Sequence, residues 1–231
     1  MSDESEEKLN NIIDIPELRD QAGVFLHREH AGIILSEMLI SYNETDAVVF
    51  AIPAGGVPVA APIARKLNLN LDVAVVSKIT LPWNTEAGYG AVAFDGTIQI
   101  NQEITIGLTE DEIEAGTEKA STKVQRRFKE YRGEKPFPDV ENHPAILVDD
   151  GIASGFTMLV AVEALRNKGA NKIIIAVPTA HLQALERVAP HVDSVYCANI
   201  RGGWGFAVAE AYQNWYDVED EEVAEILEEF I

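Results

Sequence analysis

The feature that most constrains this chain is the stretch AILVDDGIASGFT at residues 145–157. Four apolar residues end in two adjacent acids, Asp149 and Asp150, and a loop of small residues leads to Thr157 and an apolar-periodic helix that ends at about Lys168. This pattern predicts a strand, a loop and a helix. An uninterrupted apolar strand is typical of the middle of a parallel sheet that is covered on both faces.

The loop after this strand is predicted to bind a phosphorylated ligand, because open α/β sheets bind ligands beside the carboxyl ends of their strands. Small residues at 153–155 let backbone N–H groups approach an anion, and the dipole of the following helix favours negative charge there. Asp149 and Asp150 would repel a phosphate in direct contact. We therefore place them further along the ligand, on hydroxyls or near a metal, which describes a ribose 5-phosphate.

These thirteen residues resemble the phosphoribosyl pyrophosphate (PRPP) motif of type I phosphoribosyltransferases. The resemblance implies an α/β fold, with a Rossmann-like central parallel sheet flanked by helices and a flexible β-hairpin hood. It makes Asp149 and Asp150 the catalytic acids. It assigns the 5-phosphate to a loop that consists of Gly151, Ile152, Ala153, Ser154, Gly155, Phe156 and Thr157. Ala153 stands where the hypoxanthine-guanine enzymes carry an acidic general base, so that base is missing here, as in the adenine and orotate enzymes.

A second unit of the same kind occurs at residues 47–67, where the apolar run 47–52 is followed by PAGG and a predicted helix. Gly55 and Gly56 permit positive φ or close backbone approach, so this loop can also present N–H groups to an anion. In the resemblance, Ala54, Gly55 and Gly56 bind pyrophosphate. The alternative is a plain turn between a strand and a helix.

Lys78 lies near the end of a predicted strand, Leu71–Ile79. It is either a solvated end residue or a cation for pyrophosphate, and we favour the second role. The next segment, about 80–102, contains Asp95-Gly96 between two β-rich runs, which is a strong hairpin signal. The resemblance places the hood here, where its closure would exclude water from the reaction.

A helix is predicted from Thr109 to about Arg132, because Thr109 and Glu112 form a capping box. The later turns of this helix contain the densest basic cluster in the chain, which consists of Arg126, Arg127, Lys129 and Arg132. Such charge is favourable at a helix C-terminus. The alternative is a pyrophosphate contact across a subunit boundary, and we favour the first interpretation.

The remaining alternation of strands and helices predicts one parallel sheet and a single domain over residues 15–231, after an acidic tail at 1–14 that we expect to be disordered. The segment about 199–231 forms the acceptor side. Within it, an aromatic cluster is either a hydrophobic plug or a platform for a planar ring. We predict that Trp204 and Phe206 form the wall of the acceptor site.

The composition limits the partners of this chain. It has 18 Lys and Arg against 38 Asp and Glu, a formal net charge of −20, which argues against nucleic acid or an anionic membrane as a partner. Cys197 is the single cysteine, so no internal disulfide can form, and we predict that it is buried. The start is acidic and no stretch is long enough to span a membrane, so we expect a cytoplasmic protein. We also expect a homodimer.

The function implied by the resemblance is displacement of pyrophosphate from PRPP by a nitrogen nucleophile, such as a nucleobase. Mg²⁺ would be carried mainly by PRPP, with Asp149 and Asp150 as the protein ligands available to it. One alternative is a regulatory protein of the same fold that senses PRPP without turnover. Another is a hydrolase that acts on a phosphorylated riboside.

Overall fold

The computed structural model describes residues 10–203 and 205–230, without the side chains of residues 85 and 86. The strands are β1 (Ile12–Asp14), β2 (Val48–Ala51), β3 (Asn70–Val73), β4 (Val76–Leu81), β5 (Asn84–Ala93), β6 (Ile98–Ile100), β7 (Ala145–Val148), β8 (Ile173–His181) and β9 (Ser194–Arg201). Six of them form a central parallel sheet in the spatial order β1-β9-β8-β7-β2-β3. This confirms the predicted α/β fold with a central parallel sheet.

The helices are α1 (Arg28–Met38), α2 (Gly56–Leu67), α3 (Glu110–Arg132), α4 (Phe156–Asn167), α5 (Leu182–Val188) and α6 (Asp220–Leu227). Single 3₁₀ turns occur at Pro16–Leu18, Ile40–Tyr42, Ala189–His191 and Val208–Ala211. Successive residues of a strand point to opposite faces of the sheet. Thus Val49 packs in a core with α1, α2 and α3, whereas Phe50 packs on the other face with α4 and α5.

The strand that precedes the two acids lies between β2 and β8, at the centre of the sheet. All four residues of β7 are buried, as the unbroken apolar run predicted. Its carboxyl end therefore opens between two neighbouring strands, in the position where such sheets bind ligands.

The hood is a separate three-stranded antiparallel sheet in the order β4-β5-β6. Its hairpin turns at Asp95 and Gly96, as predicted, and Gly96 has φ +93°. The single strand predicted over Leu71–Ile79 is wrong, because the chain leaves the central sheet after β3 and joins the hood as β4. Both sheets bury this part of the chain, so the apolar pattern continues across the exit. Lys78 lies in β4 and therefore belongs to the hood.

Helix α3 begins with the predicted capping box, in which the Glu112 N–H donates to the Thr109 hydroxyl at 3.2 Å and the Thr109 N–H donates to Glu112 at 2.9 Å. At its other end Arg132 is buried and binds both carboxylate oxygens of Asp72 at 2.6 and 3.0 Å. Arg127 pairs with Asp220 of α6 at 2.7 Å. These two members of the basic cluster therefore tie α3 to the sheet and to α6.

The amino-terminal boundary differs from the prediction. Residues 1–9 lie outside the described residues, whereas Ile12–Asp14 forms an edge strand that pairs with β9. The prediction of a disordered tail over 1–14 is therefore wrong for Ile12–Asp14. Cys197 is buried in β9 as predicted, and burial raises the pKa of its thiol. None of the helices in the described part of the chain has the length and apolarity needed to cross a bilayer.

Candidate active site

A cleft of about 240 Å³ opens at the carboxyl end of β7. The cleft is lined by Lys78, Asp149, Asp150, Gly151, Ile152, Ala153, Ser154, Gly155, Thr157, Met158, Val208 and Trp215. Two larger cavities, of about 340 and 480 Å³, lie beside the ends of β8 and β9, but neither is lined by the two acids or by the loop that follows them. We therefore place the candidate active site in the smaller cleft.

The loop after β7 is attached to the neighbouring strand by backbone hydrogen bonds. The Ile152 N–H donates to Thr179 O at 3.0 Å, and the His181 N–H donates to Ile152 O at 2.9 Å. Gly155 has φ +79° and starts α4, and a side chain there would also meet Val188 at 2.8 Å. The loop thus holds a fixed shape while Ala153 and the Ser154 hydroxyl stay exposed at the start of a helix, an arrangement that suits an anion.

The two acids differ in their surroundings. The Asp150 N–H donates to Asp149 Oδ1 at 2.8 Å, but Asp150 alone forms an ion pair, with Arg28. Burial, and then the charge of Asp150, raise the pKa of Asp149 well above its ordinary value. Burial also raises the pKa of Asp150, and Arg28 opposes that rise. Burial therefore disfavours the charged form of both acids, whereas Arg28 favours the charged form of Asp150.

Arg28 is a site residue that the sequence analysis missed. It is 4 % exposed, and its Nε and Nη2 donate to Asp150 Oδ2 at 3.0 and 2.9 Å. Its Nη1 donates to Tyr216 O at 2.8 Å, and its guanidinium lies 3.9 Å from the centre of the Trp215 ring. The one sequence signal for this residue is its position in the first turn of α1, which is also typical of a solvated arginine.

The predicted pyrophosphate loop lies directly against the acids. A Cβ atom on Gly55 would fall 1.9 Å from Asp150 Oδ2, and one on Gly56 would fall 2.7 Å from Val148 O. Both positions therefore need glycine because of close approach. Ala54 precedes them, and the Pro53–Ala54 peptide bond is cis. The structure thus brings the two predicted anion-binding loops together at the end of β7.

Lys78 contributes the positive wall of the cleft from the hood side. Burial raises the pKa of Asp149, and the charge of Lys78 opposes that rise. Lys78 also lines a groove of about 470 Å³ between the hood and α3, together with Lys119 and Lys123. The residue predicted to bind pyrophosphate therefore lies between the acids and a second basic surface.

The structure places Phe206, one of the two residues predicted for the acceptor wall, outside this cleft. Phe206 lines one of the cavities beside β8, where its ring meets the His181 ring edge-on at 5.6 Å, instead of lining the cleft with the acids. Trp204 lies outside the described residues. Among the residues that the structure describes, Trp215 is the aromatic one that lines the cleft, and it remains 39 % exposed although the Arg28 guanidinium lies over its ring.

The acids of the cleft fit a magnesium ion that is held mainly by its substrate. Among the residues that the structure describes, no group of three or more His, Cys, Asp and Glu side chains converges in a way that could hold a metal. Carboxylate oxygens are the ligands that Mg²⁺ prefers, and it commonly binds through one or two of them together with substrate phosphates. Asp149 and Asp150 provide that smaller set.

Comparisons with known proteins agree with this interpretation of the fold. A sequence profile of the phosphoribosyl transferase domain matches residues 18–211. The chain therefore belongs to the phosphoribosyl transferase family.

Individual relatives show the same relationship. The chain is 33 % identical over 207 residues to Rv0571c and to MT0597 of Mycobacterium tuberculosis, both provisionally named phosphoribosyl transferases. The match covers 89 % of this chain but 46 % of each mycobacterial protein, so the chain spans about half the length of these relatives. The crystal structure of TT1426 from Thermus thermophilus superposes with a TM-score of 0.71 at 31 % identity, over 89 % of this chain and 98 % of that one.

Proposed function

We propose that this chain displaces pyrophosphate from C1 of PRPP with a nitrogen nucleophile, such as a nucleobase. The observation that carries the proposal is that one cleft joins the acids after β7, the loop at 151–157 and Lys78, with Gly55 in contact with Asp150. These are the parts needed for the two ends of PRPP and the diol between them.

Each part of PRPP has a matching surface in this proposal. Ser154, Gly155 and Thr157 hold the 5-phosphate at the start of α4, where backbone N–H groups and the helix dipole favour an anion. Asp149 and Asp150 accept hydrogen bonds from the ribose diol. Pyrophosphate lies beside the loop of Ala54, Gly55 and Gly56 and is met by Lys78. The membership of the family and the contact between the two loops both support this arrangement.

The proposed chemistry depends on positioning and charge. The C1–O bond to pyrophosphate breaks as the bond between C1 and the nitrogen forms, and the nitrogen loses its proton. Positive charge develops on the sugar ring, so the nearby carboxylates stabilise it and fixed geometry lowers the barrier. Mg²⁺ would neutralise the charge of the leaving pyrophosphate, and Asp149 and Asp150 are the residues that would hold it.

The acceptor ring is proposed to lie against Trp215, the aromatic wall of the cleft. Ala153 cannot accept a proton, so the nucleophile is one that loses its proton readily or passes it to solvent. Val208 lines the cleft together with Trp215, and its side chain occupies the space that a Cβ atom on Gly151 would need. A flat, partly apolar base fits this wall better than a flexible charged amine does.

The proposed setting of this activity follows from charge and membership of the family. A net charge of −20 does not favour nucleic acid as a partner, and a small phosphorylated substrate needs only the local amides and the lysine of the cleft. We propose a cytoplasmic homodimer. Sedimentation of the purified protein with and without PRPP would test its oligomeric state.

The deciding experiment measures pyrophosphate release from PRPP with Mg²⁺ and a panel of adenine, hypoxanthine, guanine, uracil and orotate. Release that requires one of the bases and yields the matching nucleotide supports the proposal. Tight PRPP binding without release under any condition would instead indicate a sensor. Conversion of nucleoside monophosphates to free base and ribose 5-phosphate, without pyrophosphate, would indicate a hydrolase.

A further inference from the structure

Arg28 faces two parts of the cleft at once. On one side its guanidinium pairs with Asp150 Oδ2, and on the other it contacts the segment 212–216, which we call the aromatic segment. That segment supplies the Tyr216 carbonyl and the Trp215 ring. A single side chain thus connects the predicted diol-binding acid to the acceptor wall.

The ion pair holds Asp150 through one of its two carboxylate oxygens. Both nitrogens of Arg28 that contact Asp150 bind the same oxygen, Oδ2, so this ion pair does not involve Oδ1. The backbone of the same residue is held as well, because the Tyr212 hydroxyl donates to Asp150 O at 2.6 Å. The acid is therefore held from the aromatic segment through both its side chain and its carbonyl.

The other contacts of Arg28 need the shape of a guanidinium. Its Cζ lies over the Trp215 ring, 3.9 Å from the ring centre, while its Nη1 donates to Tyr216 O at 2.8 Å. Stacking and a fixed fork of donors are properties of arginine that lysine lacks. A lysine could therefore keep the charge near Asp150 but could not hold the aromatic segment in the same way.

We propose that Arg28 is a positioning residue that holds the diol-binding carboxylate and the acceptor wall at a fixed separation. This inference rests on the proposed function. Displacement at C1 requires the ribose and the incoming ring to meet in one orientation, and holding both partners supplies much of the rate of such reactions. Arg28 acts through Asp150 and Trp215 and need not touch the reacting atoms.

The test compares Arg28→Lys and Arg28→Gln with the same changes at Arg65. Arg65 is a matched control, because it also pairs with a carboxylate, that of Glu229, and its guanidinium lies 5.5 Å from the centre of the Phe230 ring. This pair joins α2 to the end of the chain outside the cleft. For each variant, PRPP affinity is measured by calorimetry with Mg²⁺, and kcat and KM are measured with the base that is active in the panel.

We expect Arg28→Gln to weaken PRPP binding by about 100-fold, since it leaves Asp150 without its buried partner. Arg28→Lys should restore PRPP affinity to within about 10-fold of the wild type, yet keep a raised acceptor KM or a lowered kcat, since the stack and fork are missing. The Arg65 variants should change the melting temperature alone. If Arg28→Lys restores affinity and turnover together, or if all four variants change stability alone, the inference is wrong.

A second measurement needs no substrate. Amide hydrogen exchange at residues 212–216 should rise in Arg28→Gln and stay unchanged in Arg65→Gln, and equal exchange in both would overturn the coupling. If the wild type neither binds nor turns over PRPP, the proposed function fails, while this measurement still decides whether Arg28 holds the aromatic segment.

If Arg28→Gln does not fold, Trp215→Leu removes the contact between the guanidinium and the ring from the other side. That variant should impair the acceptor step at full PRPP affinity, and a loss of PRPP affinity in it would count against the inference.

Discussion

Gly55 and Asp150 are far apart in the sequence and lie in direct contact in the fold, so that a Cβ atom on Gly55 would fall 1.9 Å from Asp150 Oδ2. The loop that is proposed to hold pyrophosphate therefore also sets the position of the acid that is proposed to hold the ribose.

The first prediction follows from this contact. Gly55→Ala should displace Asp150 and lower kcat/KM for PRPP by about 100-fold, the loss that a shift of about 1 Å in a reacting group can cause. The control is Gly202→Ala, because a Cβ atom at Gly202 would meet its nearest neighbour, Asp20, at 3.8 Å. Equal activity in the two variants would mean that the loop yields to the added methyl group without moving the acid.

The second prediction separates the two acids by stability. Asp149→Asn and Asp150→Asn should both abolish PRPP turnover, since each removes a proposed diol ligand. Asp150→Asn should also lower the free energy of unfolding by about 2–3 kcal/mol, because it leaves Arg28 buried without its partner. Asp149→Asn should not lower it, because it removes a repelling charge. Chemical denaturation measures this difference, and turnover that survives in the double variant would remove both acids from the mechanism.

The third prediction concerns Lys78. Lys78→Gln should weaken PRPP binding by about 10-fold or more, since a contact between a cation and a phosphate is lost. Lys172→Gln is the control, because Lys172 precedes β8 at the opposite end of the sheet. Lys78→Gln should also make the affinity for PRPP less dependent on salt concentration, because one charged contact is missing. Identical salt dependence in wild type and Lys78→Gln would exclude direct contact with the pyrophosphate.

The fourth prediction tests the acceptor wall. Trp215→Ala should raise the acceptor KM by about 10-fold or more, in keeping with the loss of one stacked ring. Phe206→Ala is the matched comparison, since Phe206 packs against His181 in a separate cavity. Steady-state kinetics with both substrates varied gives the two KM values. A larger effect of Phe206→Ala on the acceptor KM would instead place the acceptor ring against Phe206.

The fifth prediction concerns the hood. Its inner residues Tyr89, Val92 and Ala93 are buried, whereas Trp83 at the turn between β4 and β5 is 69 % exposed. Binding of PRPP with Mg²⁺ should therefore slow amide exchange most at residues 83–88 and least at 89–93, because segments with few buried contacts open most easily. Uniform protection of the whole hood would indicate that it closes as one rigid unit, and no change would argue against closure.

Much of the cleft could be predicted because its parts are local in sequence. The strand, loop and helix around Asp149 and the similar unit around Gly55 each show an apolar run, small residues and a periodic helix within a short stretch. Their meeting could also be expected, because neighbouring parallel strands bring their carboxyl ends to the same edge of the sheet.

The rest depends on contacts between distant residues. Arg28 lies at the start of an amphipathic helix, where solvent exposure is the usual interpretation, and its partners Asp150 and Tyr216 come much later in the chain. The exit from the central sheet before Lys78 is hidden because apolar residues continue through it. Phe206 and Trp215 follow the same strand, and local sequence does not tell which ring turns towards the acids.

The contacts of Arg28 affect where the boundary of this domain should be drawn. The family match ends at residue 211, one position before the aromatic segment begins. A domain excised at that position would keep both anion-binding loops in full. It would nevertheless lose the hydroxyl that holds the Asp150 carbonyl and the ring and carbonyl that hold Arg28. Boundaries for expression, fusion or grafting of this domain therefore belong beyond residue 216.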